Sequence, residues 1–432
     1  MPRLDPLRER IRTLKRTLYT NMLSSYYNIT IALILALHIC GFIATFFIFA
    51  IPRNFRGDFF AAMYDPKWWD GSGVVYGPLF VIKRWLVNAF PEIFTIYFFG
   101  ILSAFLILFA LVVCLLVTSS SRAVALMCLG VWSLNSFFYY SFSVAAIPEL
   151  IELFLLMVAW WGLSVKRIKV AAVALTLAIM TKLVPIVLAP LLLIFFSWTA
   201  IISTLVLGTS LFLLVSIGQK QSLLLSISQF LETKSAEPQP TSEQFLGISS
   251  AIARILGQEP NSNFFVANRL ALILATSLYF MVLLFSLRMS RINLVHDYRV
   301  RVAFLFILYI GLLPILHLNA AHRHTFIFLA PVFAGFAFIL SKDDNLERVG
   351  RFGKVLALEF FLYSFTPMFT LDIFNFDDFL GVRVGEDLLT TVLYISEPIW
   401  INFMLIITLL IYGRRRFLNR DPRNEVPQSE QL

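Results

Sequence analysis

Long apolar runs, most of them close to the thickness of a bilayer, alternate along this chain with short polar stretches rich in Arg and Lys. A helix crosses a bilayer with about 20 mostly apolar residues. The pattern predicts spans near residues 29–51, 93–117, 123–145, 147–164, 168–182, 184–199, 200–217, 264–287, 300–317, 323–340, 355–371 and 391–412. The expected fold is all-α and polytopic, with about 12 transmembrane helices (roughly 10–13) and amphipathic helices lying in the interface along the outer loops. Within 168–199, Pro185 and Pro190 predict a pair of broken helices. Residues 1–27 read as a basic cytoplasmic segment, 28–413 as one membrane domain and 414–432 as a polar cytoplasmic tail. The first apolar run is too long for a signal-peptide core and has no clear small-residue cleavage site, so it is expected to stay as an anchor.

Composition supports lipid as the main solvent. Only 14% of the residues are charged and 59% are hydrophobic, with 44 Phe, whereas a soluble domain is about one-quarter charged. The net charge of +9 then reports topology, because Lys and Arg collect at the cytoplasmic ends of spans. Most of the 35 basic residues fall in the N-terminal segment, the tail and alternate short loops, which predicts both termini inside. Nucleic-acid binding is excluded, since no basic stripe with interleaved aromatics lies in a soluble segment. The long connections, near 52–92, 219–263 and 372–389, then face outward, together with tight turns at 135–148 and 317–323. Chemistry is expected there, because functional residues favour loops on a rigid scaffold. Cys40, Cys114 and Cys128 lie in apolar runs without metal-like spacing and read as small buried hydrophobes.

Several polar residues on that outer side are candidates for chemistry. Asp58 follows the first span within Gly57-Asp58-Phe59, where partial desolvation would make it a better base; the alternative is a solvated loop acid. Downstream, Tyr76-Gly77-Pro78 opens an aromatic segment to Phe90 that suits an interfacial helix. His317, His322, Arg323 and His324 cluster at one turn and suit an anionic head group, a proton shuttle or plain interfacial anchoring; zinc is a rival reading without an HExxH motif. Lys182 interrupts an apolar stretch and points either to an anionic ligand or to snorkelling. Glu149 and Glu152 follow Pro148, where acids complement a helix dipole. Gln244 to Arg254 reads as a further interfacial helix with its Arg toward head groups.

These pieces, in this order, resemble the GT-C superfamily of membrane glycosyltransferases over most of the chain. The nearest likeness is to the polyprenol-phosphate-mannose-dependent α-mannosyltransferases, including the enzyme that extends phosphatidylinositol mannosides. Four places carry it: Gly57-Asp58-Phe59 with Tyr76-Gly77-Pro78; Ala178 to Lys182 with Pro185 and Pro190; Gln244-Phe245-Leu246-Gly247 to Arg254; and His322-Arg323-His324 with Pro331. The chain departs from the family pattern at Glu243, at Phe245 and around Pro148-Glu149.

The resemblance implies an inverting transfer of a mannosyl or other hexosyl group. The donor would be a polyprenyl-phosphate sugar, the acceptor a lipid-linked or surface glycan, and the site would face outward from a plasma membrane. Asp58 would be the general base. His322 would act beside it or on the phosphate, with Lys182, Arg254 and Arg323 stabilising the leaving phosphate. His324, Gln244, Tyr76 and Glu149 would complete donor and substrate binding. No cofactor and no metal is implied. A transporter or lipid flippase, expected to carry charges at the bilayer midplane rather than mostly at span ends, and an oligosaccharide ligase or polymerase are the rival classes.

Overall fold

A computed structural model describes residues 92–118, 121–133, 147–195, 198–228, 247–256, 265–290, 298–317, 323–370 and 398–418, with isolated positions at 33, 36, 37, 40, 41, 43, 78, 135, 137 and 138. The predicted first span at 29–51 and the interfacial segment at 76–90 lie largely outside these residues. In chain order the α-helices are α1 (Glu92–Thr118), α2 (Arg122–Ser133), α3 (Ile147–Ser164), α4 (Ile168–Thr181), α5 (Ala189–Ile194), α6 (Trp198–Gln219), α7 (Ile248–Ile255), α8 (Phe265–Ser290), α9 (Tyr298–Leu316), α10 (Leu329–Leu340), α11 (Leu346–Thr370) and α12 (Pro398–Gly413). Short 3-10 turns at Val184–Leu188 and Arg323–Phe328 precede α5 and α10. No strand occurs among the described residues. An all-helical chain satisfies its backbone groups within each segment, as lipid requires.

Segments of α1, α6, α8 and α9 are long and apolar enough to cross a membrane: Ile101–Thr118, Trp198–Gln219, Val266–Ser290 and Tyr298–Leu316. Of the other helices, α3 carries Glu149 and Glu152, α11 carries Glu347, Arg348, Arg351, Lys354 and Glu359, and the rest are shorter. The described residues thus form a helical bundle with four such spans. The larger number predicted above is a reading of apolar run length that counts the shorter helices too.

Position in the bundle separates helices of similar composition. The span in α9 is 83% buried and that in α6 only 22%. Val300 and every residue from Val302 to Ile315 is buried, whereas Ile202, Leu205, Val206 and Ile217 of α6 are exposed. A helix that is apolar all round belongs in an interior or in lipid; α9 is the axis and α6 a lipid-facing wall. Around the axis, Trp160 of α3 stacks on Phe306 with ring centroids 5.2 Å apart. A Cβ on Gly162 of α3 would stand 2.8 Å from the backbone nitrogen of Ala171. Small residues there let α3 and α4 approach closely.

One end of the bundle is basic, and its cations have structural work. Arg299 donates to the carbonyls of Leu116 and Val117 at 3.1 Å, which closes the C-terminus of α1. Tyr298 donates to the Leu163 carbonyl at 3.0 Å, and Arg301 to that of Ser290 at 3.2 Å. The last carbonyls of a helix need such donors. Between α10 and α11, Arg348 grips Asp343 with two bonds of 2.6 Å. Tyr412 donates to the same carboxylate at 2.8 Å. Arg416 donates to the Tyr412 hydroxyl and to the carbonyls of Ile339 and Lys342 at 2.6–2.8 Å. Burial pushes the Asp343 carboxyl upward, but its bonds from Arg348, the Asn345 backbone and Tyr412, with the charge of Arg416, prevail and hold it at about 2. Asn345 accepts from the Arg348 backbone N–H at 2.8 Å and caps α11.

The cysteines divide. Cys114 and Cys128 are buried with Sγ atoms 3.7 Å apart between α1 and α2. Cys40, predicted to be buried too, is exposed.

Candidate functional site

Because α3 and α4 are antiparallel neighbours joined by a three-residue turn, the start of α3 lies beside the end of α4. Glu149 is in the first turn of α3 and Lys182 is the C-cap of α4. Each charge therefore sits at the helix end whose dipole favours it. The Lys182 ammonium donates to Glu149 Oε1 at 2.7 Å, and both side chains are buried. Two of the residues predicted to bind substrate thus meet each other directly. Lys182 neither snorkels nor stands as an isolated cation.

The chain break beside this pair has a clear cause. Lys182 is extended, with φ −149° and ψ 141°, while its N–H still closes the last turn on the Ala178 carbonyl at 3.0 Å. Pro185 then enters the 3-10 turn Val184–Leu188, and Pro190 begins α5. Proline has no N–H to continue a helix but suits a first turn. The predicted broken pair around Pro185 and Pro190 is what forms.

The 3-10 turn Arg323–Phe328 packs against α3, α9 and α10 and so belongs to the same end. Tyr363 of α11 donates to the Phe326 carbonyl at 2.8 Å, and the Phe137 ring lies 5.6 Å from Phe326 and 5.0 Å from Tyr363. His317, at the end of α9, is buried, and its N–H bonds to the Leu313 carbonyl at 3.2 Å. The backbone of Arg323 and His324 is therefore fixed at the end that holds Glu149 and Lys182. Asp58, Tyr76, Gln244 and His322 lie outside the described residues. Arg254 is in the last turn of α7, described through its backbone alone. That helix differs from the expected interfacial one: its residues from Ile248 to Ala253 are all buried. Ala251 and Ala253 on α7, and Ala267 and Ala271 on α8, are buried small residues that permit this tight packing.

Two polar features were not singled out from the sequence. Glu359 sits near the middle of α11, buried, and accepts from the Thr408 hydroxyl of α12 at 2.8 Å; its second oxygen has no hydrogen-bond partner among the described residues. A lone acid within Leu356-Ala357-Leu358-Glu359-Phe360 was the available signal. The Asp343–Tyr412–Arg416 network joins residues up to 77 positions apart, beyond any local pattern. Among the described residues, no group of three or more His, Cys, Asp or Glu is placed to hold a metal ion.

Four helices among the described residues that are long and apolar enough to cross a membrane point to a helical membrane protein as the class. No protein-family model, no curated protein and no solved structure matches the chain.

Proposed function

We propose that the protein is a membrane glycosyltransferase that moves a mannosyl or related hexosyl group from a polyprenyl-phosphate donor to a lipid-linked or surface glycan, on the outer face of a plasma membrane. The observation that carries the proposal is the buried Glu149–Lys182 pair, at the bundle end that also holds the turn beginning Arg323-His324. A leaving phosphate needs cations held in a low-dielectric site, and a carboxylate beside Lys182 keeps that cation in place between turnovers. Asp58 takes the proton of the acceptor hydroxyl as the donor C1–O bond breaks and the new glycosidic bond forms; the phosphate leaves with the electron pair. Lys182, Arg254, Arg323, His322 and His324 supply positive charge, and Tyr76, Gln244 and Glu149 position the substrates. The test is transfer of radiolabelled mannose from polyprenyl-phosphate-mannose to a membrane lipid extract by purified wild type and Asp58→Asn. Label in a new product with wild type alone is the expected result. Equal transfer by the variant would remove Asp58 from the mechanism.

Glu359 favours a second reading, a transporter or lipid flippase, because an ionisable residue inside a membrane bundle is a default mark of a translocation path. Movement of lipid or solute in proteoliposomes without a covalent product would select it.

A further inference from the structure

The N-terminus of α7 is buried, and its first amides have no acceptor among the described residues. Gly247 accepts the first helical bond, from the Ala251 N–H at 3.0 Å, and is therefore the N-cap. Glycine has no side chain with which to cap. The N–H groups of Ile248, Ser249 and Ser250 precede the first carbonyl they could reach within the helix, and no partner for them occurs among the described residues. All three residues are buried, Ser249 with 1% exposure. Buried N–H groups are nearly always paired in folded proteins, so a cluster of three is a demand for an acceptor. A second observation points the same way: the Ser249 hydroxyl is itself buried and without a partner among the described residues. Cα–Cβ bonds in a helix tilt toward its N-terminus, and Ser249, the second residue of α7, carries this hydroxyl on the same turn as those N–H groups. Three amides, one hydroxyl and the positive end of a helix dipole form an anion site suited to phosphate.

We infer that the N-terminus of α7, with Ser249, binds the phosphate of the lipid-linked donor; the identity of the donor rests on the transferase reading, the anion site does not. The α8 C-terminus lies at the basic end, where Arg301 reaches Ser290. The start of α8 is therefore at the opposite end, with Glu149 and Lys182, and α7, which precedes it in the chain by nine residues, packs on α8. A polyprenyl phosphate brings an anion and an apolar tail, and α8, on which α7 packs, exposes the apolar Val266, Leu270 and Ile273.

The test uses the full chain in phosphatidylcholine nanodiscs, with farnesyl phosphate as probe and farnesol and inorganic phosphate as controls. Farnesyl phosphate should raise the melting temperature of wild type, and neither control should match it. Ser249→Asp places a carboxylate in the site; this variant should be more stable than wild type without ligand and should show no farnesyl phosphate shift. Ser249→Ala should weaken binding about tenfold or more, as expected for losing a hydrogen bond to a charged group. An equal shift in wild type and both variants, or no shift in wild type, overturns the site. Inorganic phosphate matching farnesyl phosphate overturns the lipid assignment. Sugar transfer measured on the same samples separates the two claims. Binding lost in Ser249→Asp while wild type transfers no sugar supports the anion site and removes the transferase. Undiminished transfer by Ser249→Asp with unchanged KM keeps the transferase and overturns the site.

Discussion

Removing one member of the Glu149–Lys182 pair should be among the most damaging single changes at this end of the bundle. At 2.7 Å two unit charges attract by about 6 kcal/mol in an effective dielectric of about 20, and most of that offsets their desolvation. Lys182→Met leaves the Glu149 carboxylate buried without its ammonium, and Glu149→Gln leaves the ammonium with a neutral partner. Loss of one partner of a buried pair costs about 3–5 kcal/mol. In a chain of this size each kcal/mol is worth roughly 2 °C, so each single variant should melt about 6–10 °C lower. The double variant Glu149→Gln/Lys182→Met keeps both volumes and strands no charge. It should be at least as stable as either single variant, giving a coupling energy of about 3 kcal/mol or more, the top of the range for residues in contact. The assay is thermal unfolding of the four proteins in one detergent, followed by size-exclusion recovery. Single variants within about 1 °C of wild type, or a double variant whose loss is the sum of the singles, would refute the buried pair. Transfer assays on the double variant then ask a separate question: under the proposed mechanism, a stable protein lacking Lys182 should lose kcat.

At the basic end, Asp343 is held at about 2 against an ordinary 3.8. The folded-state value is depressed, so its contribution is complete above about pH 4 and is lost as pH falls toward 2. Discounted for solvent screening near the partly exposed Arg348, it is worth about 1–2 kcal/mol. Asp343→Asn should lower the melting temperature at pH 7 and flatten its decline between pH 4 and pH 2; an unchanged acid limb would sink the linkage. Glu359→Gln keeps an acceptor for the Thr408 hydroxyl and removes a buried ionisable group, so it should stabilise the protein by about 1 kcal/mol. A clear destabilisation in the same melting assay would show that the carboxyl has a partner the variant cannot replace.

Much of the helical framework is legible in the sequence because lipid imposes length and polarity together. The runs at 93–117, 147–164, 200–217, 264–287 and 300–317 return as α1, α3, α6, α8 and α9 with ends shifted by a few residues. Pro185 and Pro190 break the chain where their missing N–H groups require it. Lys182 and Glu149 were each visible as a polar residue in an apolar setting, but their meeting depends on two helices lying antiparallel, 33 positions apart. The short turn at 165–167 and the similar helix lengths were the signal that joins them. Burial of α7 was not legible, since an eight-residue segment with one apolar face packs equally well on lipid or on a helix. Asp58 and His322, the residues on which the chemistry of the resemblance turns, lie outside the described residues.

The position of α9 has a consequence for biosynthesis. The ribosome delivers α1 to α8 before it, yet Trp160 and its neighbours on α3 wait for Phe306 to fill the interior. Until residues 298–316 emerge, the face of α3 that carries Trp160 lacks this partner, and α10 and α12, which also pack on α9, follow later still. Final packing is therefore a late event in translation, and substitutions along α9 should expose the half-made bundle to membrane proteases before the protein has any opportunity to act.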